Sequence, residues 1–417
     1  MNAIPFARPF VGKEEEEAVL AVLRSGWLTT GKESIEFEKE FEAFLRSDPH
    51  TGGLNETDPI YCMAVNSATS GLHLALEASG IKRGDLVLLP SLTFTSTAEV
   101  VRYLGAEVVF IDVVKDSFHM DPGALELTLD RLNRSLPAYP PRKSGTEGFG
   151  PRGKALALIP VHYGGLPCDM DAITPIAKKY SLKVIEDAAH SFPSFLSSKY
   201  AGTLGDVGVF SFYATKTLTT GEGGMVVTKD KKIADRIKIM RSHGIDRSIW
   251  NRYIDTKASW QYQVVEPGFK YNLPDLLSSI GRVQLRRALD LLSMRRELAT
   301  IYDEAFRDDL HFSIPPTGGG DARHLYPIRL NPETLSINRD EFGAKIQQRD
   351  VGISVHFIPL HTMPYYKNYY SLEDDDFPET MKTFNRTISL PIWPGMTASQ
   401  TERVITVVKA LGSEYTT

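Results

Sequence analysis

Between Ile60 and Val227 the chain keeps returning to short, almost unbroken apolar runs: IYCMAV (60–65), LVLLP (86–90), EVVFID (107–112), ALALIPV (155–161), KVIED (183–187) and VGVFSF (207–212). A strand with one wet face alternates apolar and polar residues. Runs that are apolar at successive positions belong to strands covered on both faces. Helix-like stretches such as Ser70–Ser79 and Met170–Tyr180 lie between them. Covered faces and intervening helices predict an α/β fold, a mostly parallel sheet sandwiched by helices. Ligands in such sheets bind beyond the carboxyl ends of the strands, where Ser67, Thr69, Phe94, Asp187 and Lys216 are predicted to fall.

The flanks read differently. In IEFEKEFEAFL, Phe37, Phe41, Phe44 and Leu45 recur at helical spacing and are expected to be core. Downstream, Asp275–Arg307 reads as one long amphipathic helix joining the sheet to a smaller α+β domain. That domain has strand-like segments at Tyr326–Leu330, Ile353–His356 and Ile388–Leu390, and helices at Arg339–Arg349 and Ser399–Leu411. The expected division is 1–255 for the large domain and 256–417 for the C-terminal one, which includes the connecting helix. Ser135–Lys154, rich in Pro, Gly and charge, reads as a surface loop with a mobile or interface role in preference to a cover over substrate.

A net charge of −5 offers no basic field for nucleic acid, so any anion site must be local. The N-terminus lacks the apolar core of a signal peptide, and no apolar run is long enough for a membrane span. The only cysteines, Cys62 and Cys168, suggest no disulfide framework and a cytoplasmic setting. No metal is called for.

The chemistry concentrates in FSFYATKTLTTGEGG, where Lys216 follows an apolar strand and leads into a Gly-rich turn. Upstream, Asp187 closes the strand in KVIEDAAH. A lysine and a carboxylate at the ends of neighbouring strands are what pyridoxal 5′-phosphate (PLP) requires. The lysine carries the aldehyde as an imine and then serves as base, and the acid pairs the protonated ring nitrogen. A helix N-cap is the alternative reading of Asp187. His190 either bonds the cofactor's 3-oxygen or satisfies a core contact. Phe94 either stacks on the ring or is ordinary core. The strand, small turn and helix around Ser67 and Thr69 offer N–H groups and hydroxyls to a phosphate, with Ser211 as a second candidate. His356 and His361 in SVHFIPLH are candidate substrate contacts, with a structural motif as the alternative. Tyr213 and Arg241 are plausible neighbours, and Glu222 reads as structural.

NSATSGLHLAL, PSLTFTSTAEVVRYLGAEVVFIDV, IPVHYGGLPCDMDAI, VIEDAAH, GDVGVFSFYATKTLTTGEGGMVV, PGFKYNLPDLLSSIGRVQL and HFIPLH together resemble, in order, the blocks of the DegT/StrS-type sugar-nucleotide aminotransferases, a family of fold-type I PLP enzymes. Segments such as ASWQYQVVEPGFKYNLPDL and SVHFIPLHTMPYYK resemble those of enzymes that aminate UDP-4-keto-arabinose. The resemblance implies Lys216 as the imine lysine, Asp187 at the ring nitrogen, Ser67, Thr69 and Ser211 at the phosphate, Phe94 stacked and His190 beside the ring. It implies that Asn272 reaches the phosphate of a neighbouring subunit, hence a homodimer with shared sites. It implies transfer from L-glutamate to a nucleotide-diphosphate keto sugar. Ser135–Lys154 and Asp48–Pro59 are longer than the family's usual connections. A PLP-dependent sugar dehydratase is the first alternative, but relatives of that type carry histidine where this chain has Lys216. A non-catalytic member of the same fold is the second.

Overall fold

The computed structural model describes residues 3–47, 58–142, 145–246 and 262–417. The long connection at Asp48–Pro59 therefore lies almost wholly outside the described residues, as do the 255/256 division and the start of the ASWQYQV segment.

Seven strands form the large sheet: β1 (Tyr61–Val65), β2 (Leu86–Pro90), β3 (Glu107–Ile111), β4 (Ala155–Leu158), β5 (Lys183–Asp187), β8 (Val207–Ser211) and β9 (Gly224–Thr228), with β6 (Phe195–Leu196) and β7 (Lys199–Tyr200) as a separate hairpin. The order is β1-β9-β8-β5-β4-β2-β3. The inner pairings are parallel, while β9 is antiparallel to both β1 and β8, so it alone runs against the others. The six apolar runs all form strands within a few residues of their expected bounds. The reversed strand was not anticipated; it returns the chain directly after the Lys216 loop.

Both faces of the sheet are covered, as the unbroken apolar runs require. On β1, Met63 and Val65 join one core cluster while Cys62 and Ala64 join another on the opposite face. The first cluster takes in the helices α3 (Ala68–Ala78), α4 (Thr95–Tyr103), α5 (Pro122–Asn133), α6 (Met170–Lys179) and α7 (Lys231–Met240). The second is closed by α2 (Lys32–Ser47), whose Phe37, Phe41 and Leu45 are fully buried against Phe210 and Phe212. Each such side chain contributes about 1.5–3 kcal/mol by leaving water. The helix α1 (Lys13–Ser25) packs, with α2, on the later helix Asp275–Arg286.

The single helix expected over Asp275–Arg307 is two helices, Asp275–Arg286 and Ala288–Phe306, separated at Arg287 (φ −103°, ψ 7°). Their partners differ. Gln284 and Arg287 bond the buried Glu15 of α1, whereas Leu298, Tyr302 and Phe306 enter the core of the smaller sheet. That sheet is antiparallel, with order β10 (Phe312–Ser313), β11 (Tyr326–Leu330), β12 (Thr387–Leu390). Ile353–His356 adds no strand. It makes one bridge, Ser354 to Ser389, then peels away so that His356 and Phe357 reach the main cavity. No helix among the described residues is long and apolar enough to cross a membrane.

The Ser135–Lys154 loop is pinned over its described part. Tyr139 is buried, its hydroxyl accepts the Phe110 N–H at 2.8 Å, and it pairs with Phe149 in an antiparallel bridge. Arg142 lies over the Phe149 ring and bonds Asp376 through two nitrogens. None of these residues lines the main cavity. Tyr139→Phe would leave the Phe110 N–H unpaired, so a loss of about 1–3 kcal/mol in denaturant unfolding is expected, with activity per folded molecule unchanged.

Candidate active site

A cavity of about 400 Å³ lies at the carboxyl edge of the large sheet. The ends of β1, β5 and β8 and the start of β9 meet there, because Ser211 and Val65 both sit opposite Gly224. A Cβ on Gly224 would stand 2.9 Å from the Ala68 nitrogen, so only glycine lets β9 pass this close to the start of α3.

Ser67 is the N-cap of α3. Its side chain accepts the Ser70 N–H at 3.1 Å, and Ser70 Oγ returns a bond to the Ser67 carbonyl. The closed cap fixes the first turn, whose free N–H groups and dipole favour an anion. Ser67, Ala68 and Thr69 line the cavity, and Ser211, at the end of β8, lines it beside them.

Asp187 ends β5 and is 5% exposed. Its backbone is held on both sides, donating to Pro160 O and accepting from His162 N. One carboxylate oxygen accepts from Thr97 Oγ1 at 2.9 Å, the other from Ala189 N at 3.1 Å. Burial raises its pKa, against the pull of those bonds and of Lys216. The adjacent Glu186 points to the opposite face, fully buried, and bonds His162 and the amides of Gly202, Leu204 and Gly205. That knot makes the end of β5 rigid.

Lys216 sits in a loop that closes on itself through Phe212 N to Gly223 O and Thr220 N to Phe212 O. It is half-buried and lines the cavity. Burial draws its amine down to about 7; Asp187 opposes this and Arg295 adds to it. A lysine brought to this range holds a neutral amine at physiological pH, which is what a nucleophile or a general base needs.

His190 is buried, and its Nδ1 accepts the Gly164 N–H at 3.3 Å, which leaves Nε2 as the protonated nitrogen of a neutral ring. Burial, with Lys216 and His356 nearby, holds its pKa well below the ordinary value. Phe94 lines the cavity with 54% of its surface exposed, tilted against Phe357. Seven of the eight residues singled out as cofactor contacts therefore meet in one cavity: Ser67, Thr69, Phe94, Asp187, His190, Ser211 and Lys216. Asn272 is the eighth and lies outside the lining, its Nδ2 donating to Thr30 Oγ1 at 2.5 Å and its Oδ1 buried without a hydrogen-bond partner among the described residues.

The more peripheral candidates divide. Tyr213 and His356 line the cavity. His361 does not: it is fully buried and bonds Ser91 Oγ at 2.5 Å, a structural role. Arg241 is also structural, tying Glu38 of α2 to the Ala64 carbonyl of β1. Glu222, expected to be structural, is exposed at the cavity wall. Phe6, His324 and Ile392 also line it, with no local pattern to mark them. Each arrives from an end or strand junction distant along the chain.

The sequence profile described as the DegT/DnrJ/EryC1/StrS aminotransferase family matches residues 9–409. The chain is 38% identical over 409 residues to the spore coat polysaccharide biosynthesis protein SpsC of Bacillus subtilis, across 97% of this chain and 96% of that protein. Spr1654 of Streptococcus pneumoniae, solved in its PLP form, superposes with a TM-score of 0.83 at 26% identity, over 99% of each chain. Helicobacter pylori PseC, an aminotransferase involved in the biosynthesis of pseudoaminic acid, superposes with a TM-score of 0.83 at 25% identity, over 99% of this chain and 100% of that one. Because the match runs nearly from end to end and its neighbours share the whole fold as well as sequence, this chain belongs to the DegT/DnrJ/EryC1/StrS aminotransferase family.

Proposed function

We propose that this chain is a PLP-dependent aminotransferase that moves an amino group from L-glutamate to the ketone of a nucleotide-diphosphate sugar, a UDP-linked 4-keto sugar being the first candidate. The product would be an amino sugar for surface polysaccharide, lipopolysaccharide or another glycoconjugate. The observation that carries this reading is the opening of the Lys216 amine and the Asp187 carboxylate into one cavity with a capped helix N-terminus.

The residues present fit PLP. The cavity, at about 400 Å³, is within the roughly 300–1,000 Å³ of small-molecule sites. Asp187 is a buried carboxylate with no guanidinium paired to it among the described residues, suited to a cationic ring nitrogen. Ser67, Thr69, Ser211 and the first amides of α3 would hold the phosphate. Phe94 would stack on the ring and His190 would lie beside it. When bound, PLP supplies an aldehyde that joins an amine and a protonated ring that draws electrons from the bonds at that amine's carbon.

Lys216 Nζ then has one task in each half of the transfer, holding and moving the proton. It takes one from Cα of the amino donor and delivers one to the former keto carbon of the sugar. Asp187 would face the ring nitrogen, its two oxygens held in place by Thr97 and the Ala189 amide. The aromatic wall of Phe94, Tyr213 and Phe357 limits water around the reacting carbon.

Two copies related by a two-fold axis would complete each other's sites. The unpartnered Asn272 Oδ1 and the exposed rings of Phe94 and Tyr213 support this reading. The names of SpsC and PseC support a carbohydrate acceptor.

The test is a two-stage assay of the purified, PLP-loaded protein. Glutamate alone should convert the visible absorbance band and release one 2-oxoglutarate per site. A keto sugar nucleotide from a panel should then restore the band. A protein that takes up PLP but releases no 2-oxoglutarate would lose the glutamate assignment. Turnover with no UDP-linked 4-keto sugar, but with other nucleotide keto sugars, would displace that first candidate.

A further inference from the structure

Arg295, on the helix Ala288–Phe306, is 2% exposed and has no carboxylate partner among the described residues. Among the described residues its acceptors are all carbonyls: Nη1 donates to His324 O at 3.2 Å and Ile392 O at 2.9 Å, and Nη2 to Thr215 O at 3.4 Å. Nε has no partner. A buried guanidinium without a counter-ion is costly, and an apolar side chain of similar volume would fill the same space at lower cost. The three carbonyls it does reach belong to three separate segments of the cavity wall. Thr215 precedes the lysine, His324 leads into β11, and Ile392 follows β12; all three line the cavity.

We propose that Arg295 is a positioning residue that acts through Lys216, fixing the lysine's backbone against the smaller sheet and holding a fixed positive charge next to the lysine loop. This rests on the reading of Lys216 as the working amine. The charged and titratable groups acting on that amine are Asp187 from β5, His190 just beyond it, His324 before β11, His356 from the segment that peels off the small sheet, and Arg295, with Glu222 and Tyr213 lining the same cavity. The three imidazoles are held neutral by burial. Asp187 favours the ammonium, and Arg295 is the fixed cation that opposes it. Burial opposes Asp187 most strongly and remains when that cation is removed, but the loss of the cation alone lets the lysine hold its proton to higher pH.

The experiment titrates Lys216 in the apoprotein by competitive acetylation, with the labelled peptide read by mass spectrometry, for the parent, Arg295→Met and Arg295→Lys. The parent should titrate near about 7. Arg295→Met should titrate about one pH unit higher, with the low-pH limb of kcat in the loaded enzyme moving the same way. Arg295→Lys keeps the charge but loses the fork, so its midpoint should stay with the parent while kcat falls. If Arg295→Met does not fold by circular dichroism, Arg295→Gln, neutral but still a donor, is titrated in its place. An unmoved midpoint in the neutral variant overturns the proposal, as does an equal rise in the lysine variant. A parent that takes up no PLP would sink the cofactor reading instead, a result separate from this titration.

Discussion

Replacing Lys216 by alanine is expected to leave a folded protein that completes neither half of the transfer. The side chain is half-buried in a cavity wall rather than locked in the core, and the loop around it is closed by backbone bonds that alanine retains. Unfolding midpoints should therefore lie close to the parent's. Activity should not survive: general acid–base groups account for about 10²–10⁴-fold on their own, and here the same amine also carries the cofactor. A loss of at least about 10³-fold in kcat is expected, read as 2-oxoglutarate release and as disappearance of the visible absorbance band. A Lys216→Ala protein that cycles at a tenth of the parent's rate would remove the lysine from the mechanism.

The second large effect has opposite signs in the apoprotein and the loaded enzyme. Burial raises the folded-state pKa of Asp187 above its unfolded value. A group shifted in that direction contributes stability below its unfolded pKa and loses it as pH rises through the folded pKa. At neutral pH the ionised carboxylate is therefore a net cost to the empty fold. Asp187→Asn removes the charge, keeps the shape and can still bond Thr97, whose hydroxyl can turn to accept an amide N–H. The empty variant should be as stable as the parent at pH 7 or more so, with its advantage vanishing in acid. In the loaded enzyme the variant no longer pairs a protonated ring nitrogen. A fall of about 10²–10³-fold in kcat is expected, the scale seen when one preorganised electrostatic partner of a reacting group is removed. Thermal melts with and without PLP, alongside kcat, check both halves. A variant that is destabilised when empty and fully active when loaded would reverse the assignment of Asp187.

Much of this was legible in the chain. Short apolar runs such as LVLLP, recurring with helix-like stretches between them, fit strands buried on both faces, so the layered sheet was legible from solvent exclusion and this alternation. The positions immediately after those runs then had to lie at one edge, which brought Ser67, Phe94, Asp187 and Lys216 together. What escaped depended on partners rather than on local pattern. The break at Arg287 arises because its two flanking helices pack on different cores, and an amphipathic stripe alone does not show where its partner changes. Ile353–His356 has strand-like composition but only one bridge, because the chain leaves for the cavity. Arg241 and Glu222 exchanged expected roles. A charged side chain near a site has the same sequence signature whether it meets Glu38 or open space. The Pro- and Gly-rich loop looked loose by composition, yet one buried tyrosine anchors it.

One wall of the cavity comes from the first residues of the chain. Ile4 bridges to Val351, with Ile4 N bonded to Asp350 O and Gly352 N to Ile4 O, and this brings Phe6 and Ala7 into the cavity that Lys216 lines. Ile392, just after β12, lines the same cavity. Such closure joins contacts of very large sequence separation, the kind that form late because the intervening chain must be ordered first. The lysine and its carboxylate, both carried by the large sheet, are thus in place before residues 4–7 and 350–357 meet to complete the wall beside them.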